Sequence, residues 1–174
     1  MNLFLDFIDQ IESLMAAGGS LMWVILLVSV VLWGLIIERF LFLGFYHPGR
    51  AEALYRQWQA RSERNSWFAH RIREAMISAA HVELYKTVPV IRMLVGICPL
   101  LGLLGTVLGM MDVFDILRIT GSNSIRSTAS GVSNATITTM AGLVIAISGL
   151  YFCRRIELRV EEEKRRLSDL LRFD

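Results

Sequence analysis

The sequence has 174 residues, of which 54% are apolar and 20% are charged, with a mean hydropathy of +0.50. Soluble domains are about 45–50% apolar and about 25% charged, so both values are shifted toward a membrane protein. The composition excludes an intrinsically disordered chain, because such chains are charge-rich and poor in apolar side chains. The net charge of +2 does not indicate nucleic-acid binding, because the basic residues lie in two separate segments and are balanced by acidic ones.

The residues before the first long apolar stretch predict an N-terminal amphipathic helix over 1–19. They contain no Lys or Arg, which is not typical of a secretory signal peptide. Apolar and acidic side chains recur at helical spacing on opposite faces, which suits a helix on a membrane surface. A simple extension of the first span is the alternative. The apolar set is Phe4, Phe7, Ile8, Ile11, Leu14 and Met15, and the acidic set is Asp6, Asp9 and Glu12.

Three long segments lack Asp, Glu, Lys, Arg and His, namely residues 13–37, 93–111 and 127–153. A helix needs about 20 mostly apolar residues to cross roughly 30 Å of hydrocarbon. The sequence therefore predicts an all-α integral membrane protein with transmembrane helices at 20–45, 90–112 and 128–153. Buried core helices of a soluble protein are the alternative, but three uncharged stretches of this length are rare in soluble folds.

The distribution of Lys and Arg predicts how the spans are oriented. Residues 1–20 contain none and the loop 113–127 contains two, whereas residues 46–89 and the tail 154–174 contain seven each. The positive-inside rule then places the N-terminus and the loop 113–127 outside the cytoplasm. It places residues 46–89 and the tail 154–174 in the cytoplasm.

The first span ends in Glu38-Arg39, about 26 Å along the helix from Leu21 at 1.5 Å per residue. We interpret both charges as interfacial anchors near the inner headgroups, with a proton-relay role as the alternative. Residues 46–89 predict a cytoplasmic helical hairpin with a break at Asn65-Ser66.

One apolar face marks each helix of the predicted hairpin, and neither helix can bury its face alone. We therefore expect both helices to pack on cytoplasmic continuations of the spans. The tail predicts such a continuation of the third span, either solvated or stacked against copies of itself. The first face is Ala51, Leu54, Tyr55 and Trp58, the second is Phe68, Ile72, Ala75, Met76 and Ala79, and the tail seam is Ile156, Val160, Leu167 and Leu171.

The second span is rich in small residues, which allow helix backbones to approach closely. Gly102, Thr106 and Gly109 are predicted to share one face, and Gly96 and Gly105 lie in the same span. Pro99 removes one backbone donor and predicts a kink. Close packing is the predicted role of the glycines, whereas the Thr106 hydroxyl suits either packing or a pore.

The third span carries hydroxyl and amide groups along its first half: Ser127, Thr128, Ser130, Ser133, Asn134, Thr136, Thr138 and Thr139. Such groups are costly in hydrocarbon unless they are hydrogen-bonded, so this face should turn toward protein or water. Interhelical hydrogen bonding is one interpretation, and the wall of an ion path is the interpretation we favour. No residue in 93–111 or 127–153 can store a proton near neutral pH, so a titrating carrier must come from another polypeptide, with water wires as the alternative.

The sequence does not indicate an enzyme, a metal site or a cofactor. No nucleophile–base pair and no phosphate-binding glycine loop is readable. Cys98 and Cys153 lack a CxxC spacing and are interpreted as packing residues. His47, His70 and His81 form no helical metal pair and are interpreted as surface residues.

Two motifs resemble those of the ExbB/TolQ/MotA family. PLLGLLGTVLGM at 99–110 is similar to the second-span motif, and GVSNATITTMAGLV at 131–144 is similar to the third-span motif. Glu38-Arg39 and the three-span arrangement fit as well. Within the family the short chain resembles the ExbB branch, with TolQ as the close alternative, whereas MotA-type stators have four spans.

The resemblance implies a pentamer in the inner membrane that encloses an ExbD dimer, whose membrane Asp carries the proton. Such a complex is a molecular motor that uses the proton motive force to drive TonB and the import of iron-siderophores and vitamin B12. Thr106 and Thr139 match the family's pore threonines, Thr138 lies beside them, and Gly142 belongs to the packing motif. The family usually has Glu where this chain has Asn134. A TolQ-like subunit of the Tol-Pal system and a non-conducting membrane scaffold are the alternatives.

Overall fold

A computed structural model of the chain describes residues 2–60, 66–120 and 125–171. Within these ranges it does not describe the side chains of 2–14, 16–17, 45–48, 50–51, 120 and 125–128. The described residues form helix α1 (Asn2–Leu41), a π-helical turn (Phe42–Tyr46), α2 (His47–Gln59), α3 (Trp67–Tyr85), α4 (Val88–Thr120) and α5 (Ile125–Leu170). They contain no strand, so the predicted all-α class is confirmed.

Three segments are long and apolar enough to cross a membrane: Gly18–Gly44, Trp67–Ile119 and Ala129–Leu170. Their most apolar windows have mean hydropathies of 2.6, 2.1 and 1.7. Large apolar side chains remain exposed on them, including Trp23, Val107 and Val144 at 63%, 52% and 66%. These helices are therefore apolar on their outer surfaces, as membrane-embedded helices are. The prediction of a membrane protein is confirmed.

A break in α1 lies at Gly19, whose φ of 66° and ψ of −162° are not helical. L-amino acids rarely adopt this conformation, whereas glycine reaches it without a Cβ clash. The break coincides with the boundary between the predicted amphipathic helix 1–19 and the predicted first span. The side chains that define the two faces of the amphipathic helix, from Phe4 to Leu14, lie outside the described residues.

The helices on either side of the second loop are longer than the sequence indicated. The predicted loop was 113–127, but α4 continues to Thr120 and α5 begins at Ile125. No Gly or Pro follows Gly109 until Gly121, so nothing in the backbone stops the helix earlier. Val113 is also 3% exposed and packs closely on Gly131, which gives the extra turns of α4 a partner.

The chain divides into two compact units, of which the first consists of Met1–Leu32 and Met93–Gly149. Its core contains apolar residues from α1, α4 and α5, among them Ile25, Leu32, Val95 and Ala146, which are 0–3% exposed. In this unit α4 and α5 run antiparallel: the pairs Val95–Gly149 and Val113–Gly131 lie at opposite ends of the contact. The small residues between these ends set the distance between the two helices.

The second unit consists of Trp33–Arg92 and Leu150–Asp174. Its core is a cluster of Trp58 from α2, Ala69 from α3, and Leu167 and Leu171 at the end of α5. The four residues are 1–3% exposed. This confirms that the hairpin helices pack on the continuation of a span. The tail seam is covered by the chain's own helices, so it is neither solvated nor available for stacking on copies.

Helix α3 begins after an N-cap at Ser66, whose hydroxyl accepts from the backbone N–H of Ala69 at 3.3 Å. The buried face of this helix is one position away from the predicted one. Phe68 was predicted to be buried but is 71% exposed, whereas Ala69 is 1% exposed. The bulky Trp58 packs in one cluster with the small Ala69, and Phe68, one position earlier on α3, lies outside that cluster.

Candidate functional site

The contact between α4 and α5 in the first unit is built from three glycines of α4 that face small residues of α5. A Cβ added at any of these glycines would come into close contact with an atom of α5. At Gly102 the nearest atom would be the Thr139 Cα at 3.1 Å, and at Gly105 it would be the Thr138 Cγ2, which is closer still. At Gly109 it would be the Ala135 Cβ at 2.9 Å. The helices are therefore spaced for glycine, as expected for membrane helices that associate through small residues.

Gly142 makes the tightest backbone contact of the interface from the α5 side. An added Cβ would lie 2.6 Å from the backbone oxygen of Cys98 and 3.2 Å from the Cα of Gly102. Both partners are main-chain atoms, so no side-chain rotation relieves the clash. Pro99 lies beside this contact, inside α4, which continues through it from Val88 to Thr120.

Thr139 joins α5 to α4 by a hydrogen bond. Its hydroxyl donates to the backbone oxygen of Gly102 at 2.9 Å, and lies 3.4 Å from the backbone oxygen of Ala135 in its own helix. The side chain is half-buried. The hydroxyl proton is thus held within the subunit, while the oxygen lone pairs remain acceptors. Of the two interpretations of the polar face of α5, interhelical hydrogen bonding and the wall of an ion path, the first applies to Thr139.

Thr138 and Asn134 lie one helical turn apart on α5. The Thr138 hydroxyl donates to the Asn134 backbone oxygen at 3.1 Å, and its methyl packs against Gly105. Thr138 is only 2% exposed, whereas Asn134 is half-buried. Thr138 therefore points between the helices of one subunit. Both side chains line a pocket of about 140 Å³ in the first unit.

Thr106 lies on a different face of α4 from the glycines that contact α5. Its hydroxyl donates to the Leu103 backbone oxygen of the same helix at 2.7 Å, and the side chain is half-buried. Thr136 on α5 likewise donates to the Val132 oxygen at 2.8 Å. Hydroxyls that bond back to their own helix remain acceptors on their outer side. Thr106 was predicted to share the packing face of α4 with Gly102 and Gly109. In the structure Gly105, and not Thr106, lies on that face.

Glu38 and Arg39 belong to the second unit and have different environments. Glu38 is exposed, whereas Arg39 is 3% exposed. The Arg39 guanidinium donates to the backbone oxygens of Glu83 and Leu84 at 2.5 and 2.6 Å. These carbonyls lie in the last turn of α3, which leaves its final carbonyls without partners in the helix. Arg39 thus caps α3, a role that the sequence did not indicate for this residue.

Sequence reasoning missed Asp112, the first charged residue after the uncharged stretch 93–111. Asp112 lines the same pocket as Asn134 and Thr138, together with Ser20 from α1. The signal was present in the spacing, because Gly105, Gly109 and Asp112 recur at intervals of four and three and so share a helix face. Metal chemistry has no comparable support: within the described ranges, no three His, Cys, Asp or Glu side chains are grouped to hold an ion.

Comparisons with known proteins give a consistent result. Residues 38–169, about three quarters of the chain, match the MotA/TolQ/ExbB proton channel family. The biopolymer transport protein exbB1 of Vibrio cholerae is 38% identical over 78 residues, which are 44% of this chain and 34% of that protein. The biopolymer transport protein ExbB of Helicobacter pylori is 34% identical over 74 residues, 42% of this chain and 51% of that protein.

The ExbB-like 1 protein of Synechocystis is 44% identical over 64 residues, which are 35% of this chain and 25% of that protein. The chain thus matches about a quarter to a half of the length of these relatives. The matching family is one of proton channels and not of enzymes. Because the family match covers most of a chain with three apolar helices, this membrane protein belongs to the MotA/TolQ/ExbB proton channel family and is of the ExbB type.

Proposed function

We propose that this chain is the channel subunit of a proton-driven motor that energises TonB-dependent import through the outer membrane. It works as a pentamer around an ExbD-like dimer, with the N-terminus in the periplasm and the tail in the cytoplasm. The cargo is iron-siderophores and vitamin B12. The membrane Asp of the partner carries the proton, and Thr106, Thr139 and Asn134 of this chain line its path.

The observation that carries the proposal is the hydrogen bond from Thr139 to Gly102. Because its proton is held by the Gly102 oxygen at 2.9 Å, the Thr139 oxygen is oriented as an acceptor. An oriented acceptor stabilises a protonated carboxyl, which is a hydrogen-bond donor, and gives no such stabilisation to a carboxylate. A partner Asp that passes this position is thereby favoured in its neutral form. The Thr106 oxygen is oriented as an acceptor in the same way, because its hydroxyl donates to the Leu103 backbone oxygen.

The driving force is large enough for such a motor. One proton that crosses about 100 mV releases about 2.3 kcal/mol. This free energy can bias a step between two packing states that differ by a few kcal/mol. Five identical subunits around two helices cannot all make the same contacts at once. The mismatch leaves the inner helices in one of several equivalent positions, and protonation of the partner Asp permits the next step.

The same hydrogen bond supports a second candidate, a scaffold that conducts no ions. A threonine that bridges two helices stabilises their association by about 0.6 kcal/mol on average, whether or not protons pass. In this case the polar face of α5 serves helix packing alone. The two candidates differ in whether the assembled complex moves protons.

Reconstitution separates the candidates. The chain is purified with its ExbD-like partner, placed in liposomes, and tested for proton uptake under an imposed membrane potential. Thr139→Val removes the hydroxyl while keeping a β-branched side chain, and Thr139→Ser restores the acceptor as the matched control. We expect flux to be lost with Thr139→Val and kept with Thr139→Ser, with the same mass of intact complex. A wild-type complex that moves no protons supports the scaffold, and unchanged flux in Thr139→Val removes Thr139 from the mechanism.

A further inference from the structure

We infer that Asp112 is a proton-binding carboxylate at the mouth of a water-filled pocket inside this subunit. The chain then carries a titratable group of its own on the proton path, in addition to the acid of a partner. This inference rests on the proposed function, since it assigns the place where protons first bind.

The pocket lies among α1, α4 and α5 of the first unit. It has a volume of about 140 Å³, and four of its lining side chains are polar: Ser20, Asp112, Asn134 and Thr138. A cavity that holds a water needs polar partners and roughly 10–15 Å³ for each molecule's centre, so several waters fit here. Hydroxyl, amide and carboxylate groups offer these waters both donors and acceptors.

The exposure of the polar side chains that line the pocket decreases from Asp112 through Asn134 to Thr138. Asp112 is exposed, Asn134 is half-buried, and Thr138 is 2% exposed. The Asp112 carboxylate therefore lies at the open end of the pocket, while the Thr138 hydroxyl lies at the closed end between α4 and α5. A proton that binds at Asp112 is thus connected by the pocket waters to the polar face of α5.

The described lining of the pocket contains a single charged residue. Among the described residues that line the pocket, Asp112 is the one titratable side chain, and none of them is a cation. Asp115 and Arg118 follow on α4 but are not part of the lining. Asp112 is therefore the acid–base group of the described lining.

The α1 wall of the pocket is formed by Gly18, Gly19 and Ser20, at the point where the helix is broken. Backbone with the angles of Gly19 cannot continue the regular helical hydrogen-bond ladder. The wall of the pocket is therefore formed at this position by a non-helical stretch of main chain. An unbroken helix, with its main-chain groups bonded internally, offers water fewer partners.

The transfer is an ordinary acid–base exchange. A hydronium ion at the mouth gives its proton to a carboxylate oxygen of Asp112, so that an O–H bond forms and neutral water is released. Asp112 then passes this proton to a pocket water beside Asn134, and regains its negative charge. No oxidant, reductant or other reactant takes part.

The test uses the full complex with its ExbD-like partner in liposomes and compares three variants. Asp112→Asn removes the proton-binding oxygen, Asp112→Glu restores it, and Asp115→Asn removes an equal charge from the same exposed stretch of α4. Loss of a positioned proton-transfer group slows a reaction by about 100-fold, so we expect Asp112→Asn to lower the proton flux on this scale. Asp112→Glu should recover most of the flux, and Asp115→Asn should match wild type.

A second measurement does not depend on flux. Dicyclohexylcarbodiimide reacts with protonated carboxyl groups, and mass spectrometry of the treated complex locates the label. We expect labelling at Asp112 and none at Asp115. Wild-type flux in Asp112→Asn, or equal labelling of the two residues, overturns the inference while leaving the channel function intact. A wild-type complex that is labelled at Asp112 but moves no protons refutes the proposed function and supports proton binding in the pocket.

Discussion

Substitution of Gly142 by Ala tests whether the α4–α5 contact is as close as the structure shows. The new methyl would lie 2.6 Å from the Cys98 backbone oxygen, about 0.9 Å inside a favourable separation of ~3.5 Å. Because its nearest neighbours are main-chain atoms of α4, one helix has to move away from the other. That movement also lengthens the contacts between Gly102 and Thr139 and between Gly105 and Thr138.

The expected cost follows from opposing effects. Overpacking of a tight interior costs about 1–3 kcal/mol, and a contact between two backbones belongs near the upper end of this range. Replacing Gly by Ala within a helix returns about 0.5–1 kcal/mol. The net loss is then about 2 kcal/mol, which changes the unfolding equilibrium constant by a factor of about 30. Separation of the helices by ~1 Å accounts for such a loss, since a gap of this size forfeits up to half of the dispersion attraction.

The measurement is equilibrium unfolding of the purified chain in mixed micelles, followed by tryptophan fluorescence. Gly96→Ala is the matched control, because Gly96 lies on α4 and an added Cβ meets nothing within 4 Å. We expect Gly96→Ala to leave stability unchanged or to raise it slightly. Equal free energies of unfolding for the two variants would refute the reasoning from close backbone contact.

Two further predictions concern the second unit. Trp58→Ala should lower the free energy of unfolding by about 3–5 kcal/mol, because it empties the buried cluster, whereas Trp67→Ala at a 67% exposed position should change it little. Thermal unfolding in detergent compares the two, and similar midpoints would contradict the assigned core. Arg39→Gln should increase amide hydrogen exchange in the last turn of α3. The carbonyls of Glu83 and Leu84 lose their hydrogen-bond donor, and leaving such a buried group without a partner costs about 1–3 kcal/mol. Glu38→Gln is its control, and equal exchange in both variants would show that Arg39 does not cap α3.

The three spans could be predicted from the sequence because the requirement for them is simple. A membrane helix needs length and a lack of charge, and residues 13–37, 93–111 and 127–153 meet both conditions on their own. The break at Gly19 and the packing role of Gly102 and Gly109 also follow from local residue types. Each of these features depends on one helix, or on the general preference of membrane helices for small contact residues.

The choice between Gly105 and Thr106 could not be made in this way. With 100° per residue, Thr106 lies about 40° from Gly102 on one side and Gly105 about 60° on the other. Both positions are compatible with a face that includes Gly102 and Gly109. The position of Thr138 on α5 decides between them, since its methyl group occupies the space above Gly105. One helix alone does not contain this information.

The roles of Arg39 and Ala69 were missed for the same reason. A charged residue at the end of a span is typical of an interfacial anchor, and only the position of α3 reveals carbonyl partners for Arg39. A large side chain such as Phe68 is the expected core residue of α3. In the structure the cluster around Trp58 contains the small Ala69 instead. Tertiary partners therefore overrode the pattern at both positions.

The polar pocket and the close helix contact depend on the same residues. Gly105, Gly109, Ala135 and Thr138 line the pocket and also set the spacing of α4 and α5. A larger side chain at position 109 would collide with the Ala135 Cβ, which is 2.9 Å from an added Cβ, and would also reduce the space for water. Small residues here hold the helices together and also keep the pocket between them open. In this part of the molecule, stability and the proposed proton access therefore impose the same requirement on the sequence.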